Sequence, residues 1–219
     1  MAEGGKKVVA AVDNMLTLTI AAGLTYRIES PTSKKLRWLT ENVIVMGGGD
    51  VDALNIIITN ALPRIHKGDR PKIIAEKIRD AYAEHTRDMQ EKMILAPVGL
   101  NWNQFITQQN KLDTNIASDL YRRLQNFAPA GELVIAGYDT TSNEAHLCVI
   151  SSGAVLDRNT LGVAFAGSGY PLANMSLTKA GFQKGMTVDE VEKIVRDAME
   201  EARHADGVGP IGDLVIFPK

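Results

Sequence analysis

The chain has 219 residues, 45% of them hydrophobic and 23% charged, the balance of an ordinary globular protein able to bury one core without staples. Its 24 Lys plus Arg stand against 26 Asp plus Glu, and the formal net charge of -2 speaks against a nucleic-acid binder, which carries a basic excess. The single cysteine, Cys148, excludes an internal disulfide and a cysteine-rich zinc site, and points to a reducing, cytoplasmic setting. His66, His85, His146 and His204 show no metal-ligand spacing, so neither metal nor cofactor is expected. No run approaches the ~18 apolar residues of a membrane span. The first apolar run, residues 8–12, is too short for a signal-peptide core. Neither a membrane nor a nucleic acid is an expected partner.

Residues 7–12 and 16–22 are strand-like around Asp13-Asn14, which reads as a hairpin. Residues 23–33 read as irregular, with Pro31 a breaker. A second strand pair spans 35–39 and 42–46, ended by Gly47-Gly48-Gly49. Asp50 is a helix N-cap ahead of the helical stripe Val51, Leu54, Ile57, Ile58. Pro71 suits a first helical position, and the helix it opens runs to about Met93 before Pro97 stops it. Residues 98–130 read as a helical insertion carrying Trp102 and Phe105 in an otherwise single domain. Strands follow at 132–138 and 145–150, then a helix at 170–182. Thr187 and Glu190 make a capping box for the next helix, and a last strand spans 213–217. This segregated order suggests an α+β arrangement of two antiparallel sheets packed with helices, not a βαβ domain.

Three local patterns carry little chemistry. Gly207, Gly209 and Gly212 have dinucleotide glycine spacing, but a helix precedes them and a strand follows, the reverse of what that motif requires. Cys148 shares a strand face with His146, where a thiolate–imidazole pair is conceivable, but a buried structural thiol is the expectation. Ser168 in Gly167-Ser168-Gly169 lacks the nucleophile-elbow pattern and reads as a turn hydroxyl capping the next helix.

Several segments, in order, resemble the proteasome β-subunit group of N-terminal-nucleophile hydrolases. Ser33-Lys34-Lys35-Leu36 resembles the family's lysine segment, and residues 43–54 (VIVMGGGDVDAL) the strand, glycine turn and helix start that follow it. Residues 133–139 (LVIAGYD), 151–153 (SSG), 164–171 (AFAGSGYP), 186–190 (MTVDE), 198–203, Asp206 and 212–216 (GDLVI) resemble later parts. The resemblance implies an α+β fold, a four-layer αββα sandwich of two antiparallel sheets flanked by helices, and assembly into stacked homo-oligomeric rings, with a related active subunit or an ATPase as further partners. Family peptidases use a Thr, Ser or Cys at the chain start. Its free amine takes the side-chain proton, a lysine lowers its pKa, an aspartate holds the geometry, and a backbone N–H stabilises the oxyanion.

Carried over residue by residue, Lys35 (or Lys34) matches the lysine, Gly48 (or Gly49) the oxyanion position, Ser168 the serine near the amine, and Asp206 its aspartate partner. Laid on the family hairpin, Lys7 falls at the nucleophile, Gly23 at the aspartate, and Gly209 where another serine is usual. Lysine has no hydroxyl, and its amine, with a reference pKa near 10.4, is protonated at neutral pH. Thr17 and Thr19, each preceded by leucine, are poor processing sites, and an unprocessed Met1 is expected. The resemblance therefore implies a ring-forming subunit without threonine-peptidase activity. Two alternatives stand beside it: an active threonine-type peptidase with a processed or unrecognised nucleophile, and a small-molecule amidohydrolase or binding module on the same fold.

Overall fold

A computed structural model describes residues 1–19, 25–29, 35–127 and 131–218. Its organising element is a five-stranded antiparallel sheet ordered β4-β5-β6-β7-β8, from Leu36–Thr40, Val43–Gly49, Gly131–Asp139, Glu144–Ser151 and Ala154–Asp157. β6 is central and apolar on both faces because both are covered. Val43, Val45, Leu133, Ile135, Cys148 and Ile150 pack against α1 (Val51–Ala61) and α2 (Pro71–Gln90). The alternate residues Ile44, Ala136, Ala145 and Leu147 meet Val8, Ala10 and Phe217 from the second layer.

That second layer is β1 (Val8–Asp13) paired antiparallel with β9 (Ile211–Phe217), Val8 opposite Phe217. Val9 and Ile216, on its far side, meet Val191 of α6 (Val188–Ala202), which packs beside α5 (Tyr170–Lys179). The layers thus run helix, sheet, sheet, helix, as the α+β sandwich reading expects.

Local chemistry sets the helix ends. Asp50 accepts from the backbone N–H groups of Asp52 and Ala53 at 3.0 and 3.1 Å. Thr187 and Glu190 form the expected reciprocal box, and Pro71 opens α2. α2 ends at Gln90 rather than Met93; a π turn at Glu91–Leu95 and a 3-10 turn at Ala96–Val98 carry the chain to Gly99, whose left-handed backbone stops it. α5 likewise stops at Lys179, short of Phe182. Within 98–130, α3 (Trp102–Gln108) and α4 (Thr114–Gln125) enclose their own small core of Phe105, Leu120 and Leu124 against Ile94 and Leu95. The Trp102 indole N–H donates to the Arg87 carbonyl at 2.9 Å, so both aromatics seal this helical unit.

Three expectations are corrected. β1 and β2 (Met15–Thr19) do not form a hairpin: Asn14 alone separates them, one residue fewer than the shortest common turn. β2 pairs instead with β3 (Thr25–Glu29), a strand within the segment expected to be irregular. Gly47, Gly48 and Gly49 do not turn after the strand; they are its last three residues, paired with Leu133, Glu132 and Gly131.

Candidate functional site

The residues at the C-terminal end of β1 converge with three other segments. Lys35 Nζ donates to Asp13 Oδ1 at 2.8 Å, with the two side chains 12% and 17% exposed. The same oxygen accepts from the backbone N–H of Met15 at 2.8 Å and of Gly209 at 3.4 Å. Asp13 occupies this place because β1 is bulged at Val12/Asp13 and the chain turns sharply through Asn14 into β2. The buried Oδ1 of Asn14 has no hydrogen-bond partner among the described residues.

The glycine end of β5 closes the same region. Gly47 N–H donates to the Lys35 carbonyl at 3.2 Å. A Cβ at Gly48 would stand 2.7 Å from the Gly167 backbone, so only glycine lets these two main chains touch. Ser168, next in sequence, donates its hydroxyl to the Asp206 backbone carbonyl at 2.8 Å. The chain then leads from Asp206 to Gly209, back beside Asp13. Lys35, Gly48, Ser168 and Asp206 are therefore linked through contacts with Gly47, Gly167, Gly209 and Asp13.

Two expected roles change. Ser168 does not cap α5, whose N-cap is Gly169 with no side-chain bond; it ties the glycine turn to the 206–209 loop instead. Lys7 lies at the opposite end of β1 from Lys35. Six residues of strand rise put it about 20 Å from Asp13, and its Nζ donates to the Pro218 carbonyl at 2.7 Å. Lys34, Ser33 and Gly23 lie outside the described residues, as do the side chains of Thr17 and Thr19.

The sequence does not single out Asp13, because a hairpin of residues 7–12 and 16–22 places the expected aspartate at position 23. One signal was available: Asp13 is the acid that ends an otherwise apolar strand. A carboxylate there, half-buried, needs a cation.

Chemically, the arrangement holds an ammonium group steady beside a carboxylate. It favours negative charge at a neighbouring atom and lowers the pKa of any hydroxyl brought next to Lys35. Among the described residues, no hydroxyl or thiol is bonded to Lys35 Nζ. Cys148 is no substitute: burial first, and then the nearby Asp157 carboxylate, push its thiol up to about 11. Its strand neighbour His146 faces Asn159 instead, Nδ1 to Nδ2 at 3.2 Å. Among the described residues no three His, Cys, Asp or Glu side chains stand together to hold a metal ion, and no helix is long and apolar enough to cross a membrane.

Comparison with known proteins bears on the fold and the family. A family model described as Proteasome subunit matches residues 102–213, more than half of the chain. The crystal structure of eukaryotic HslV from Trypanosoma brucei superposes with a TM-score of 0.54 at 17% identity, over 98% of this chain and 95% of that one. No curated protein matches in sequence.

Proposed function

Because the chain belongs to the proteasome subunit family, we propose that it is a subunit of stacked homo-oligomeric rings in which residues 1–219 supply the electrostatic half of a hydrolase site without its nucleophile. The observation that carries this reading is the Lys35–Asp13 pair. The ammonium that would activate a hydroxyl is bonded to Asp13, and the residue laid on the nucleophile position, Lys7, lies at the far end of the strand. Ser168 spends its hydroxyl proton on a backbone carbonyl. In this reading residues 98–130 are a helical insertion of the one domain, the chain acts in the cytoplasm, and a related active subunit or an ATPase completes its working assembly.

The same pair favours a second reading. An ammonium and a carboxylate already set 2.8 Å apart, beside a glycine strand end, are the support a threonine-type hydrolase needs. One experiment separates the two. Electron microscopy of the purified protein, followed by treatment with a β-lactone probe and intact mass measurement, is expected to show rings and no added mass. A covalent adduct on a Thr, Ser or Cys establishes the active hydrolase, and a monomer that never assembles removes the ring reading.

A further inference from the structure

A half-enclosed cavity of about 110 Å³ lies where the two sheets meet helices α5 and α6. Its floor is the five-stranded sheet, through the buried Val134, Ala136 and Leu147. Ala173, Leu177 and Ala198 wall it from α5 and α6. Met46, Phe165, Phe182 and Met199 also line it and are themselves partly exposed, so it is not sealed from solvent. Neither Lys35 nor Asp13 borders it. Core packing leaves few voids larger than a water molecule, and a void costs stability in proportion to its volume. A ligand that fills this one recovers that loss.

The wall selects the ligand. Every side chain in it is apolar. A charged molecule would shed its hydration and meet no side-chain partner. A buried water needs several polar partners, and no side chain here supplies one. The volume is somewhat below the roughly 150 Å³ of an engineered apolar cavity that stays dry and binds benzene. Met46 and Met199 make up the difference, because an unbranched, flexible thioether chain re-rotates to widen the space. The wall also prefers a flat ring to an alkane. Phe165 and Phe182 offer edge-to-face contacts, and the two methionine sulfurs suit the rim of a ring. We propose that this cavity is a binding site for an uncharged aromatic molecule about the size of benzene.

The test is titration of the full chain with benzene, followed by methyl NMR and by chemical denaturation. The methyl signals of Met46, Val163, Val195 and Met199 are expected to shift saturably, with a dissociation constant of about millimolar. Those of Leu120 and Leu124, in the separate core of α3 and α4, are expected to stay in place. Benzene at about ten times its dissociation constant should raise the folding equilibrium constant by about tenfold. Benzoate, the same ring with a charge, should bind at least about tenfold more weakly. Ala198→Leu, which fills the cavity from α6, should weaken benzene binding by about tenfold or more. If that variant does not fold, the benzene and benzoate titrations of the unaltered chain decide. The proposal is overturned by the absence of saturable shifts up to the solubility of benzene, or by shifts centred on Leu120 and Leu124. Equal binding of benzoate, or undiminished binding by a folded Ala198→Leu variant, also overturns it. None of these readouts depends on ring assembly or hydrolysis, so their failure leaves the proposed function standing.

Discussion

The two ends of β1 carry lysines in different settings. At the C-terminal end, Lys35 is mostly buried and bonded to a carboxylate that also collects two backbone N–H groups. At the N-terminal end, Lys7 bonds to one backbone carbonyl of the chain's last residues. The first cation belongs to a cluster that four chain segments converge to build; the second fastens a terminus. A lysine's type and its place on a strand therefore say little about its role until its partners are known. The carboxylate beside Lys35 marks the candidate site.

The largest effect that sharpens this contrast is expected from Gly48→Ala. The new Cβ meets Gly167 backbone that cannot move aside, and a loss of about 3 kcal/mol in chemical denaturation is expected. Gly185→Ala, where nothing lies within 4 Å, should cost no more than about 0.5 kcal/mol in the same assay. Next comes Lys35→Met, which leaves the Asp13 carboxylate half-buried without its cation and should cost about 2 kcal/mol. Near the other end of β1, Thr187→Ala removes the cap of α6, which packs against Val9, and should cost about 1 kcal/mol. Lys7→Met should cost about 0.5 kcal/mol or less, because water can replace the cation at the Pro218 carbonyl. A Lys7 variant as damaging as the Lys35 variant would break the contrast.

Cys148 offers a pH test independent of both ends. Its thiol is raised from 9.0 to about 11 in the folded chain, so the folded state holds the proton that the unfolded state loses first. Stability should be unaffected below about pH 9 and fall as pH rises from there to about 11. Labelling by iodoacetamide at pH 8 should require unfolding.

What the sequence made legible was local. Asp50, Pro71 and the Thr187–Glu190 box act within a few residues of themselves, and each does what its chemistry predicts. The apolar runs that become β6 and β7 could be seen because a strand buried on both faces leaves a continuous apolar stretch. Pairing was less legible. Nothing in residues 8–12 says that their partner is 211–217 rather than the next strand-like run. The glycines 47–49 look like a turn because strands seldom carry three of them; they lie in a strand whose end must touch the Gly167 main chain. Lys35, Gly48, Ser168 and Asp206 are singled out only by the family resemblance; the structure shows their contacts with Asp13, Gly167 and the 206–209 loop. Asp13 escaped because an error in strand pairing moved the expected aspartate ten residues along.

The most direct measurement is a pair of double-mutant cycles in stability, Asp13→Ala with Lys35→Met and Asp13→Ala with Lys7→Met. Coupling of about 1 kcal/mol or more is expected for the first pair and no more than about 0.3 kcal/mol for the second. Negligible coupling between Asp13 and Lys35, or equal coupling of Asp13 to Lys7, would contradict the account.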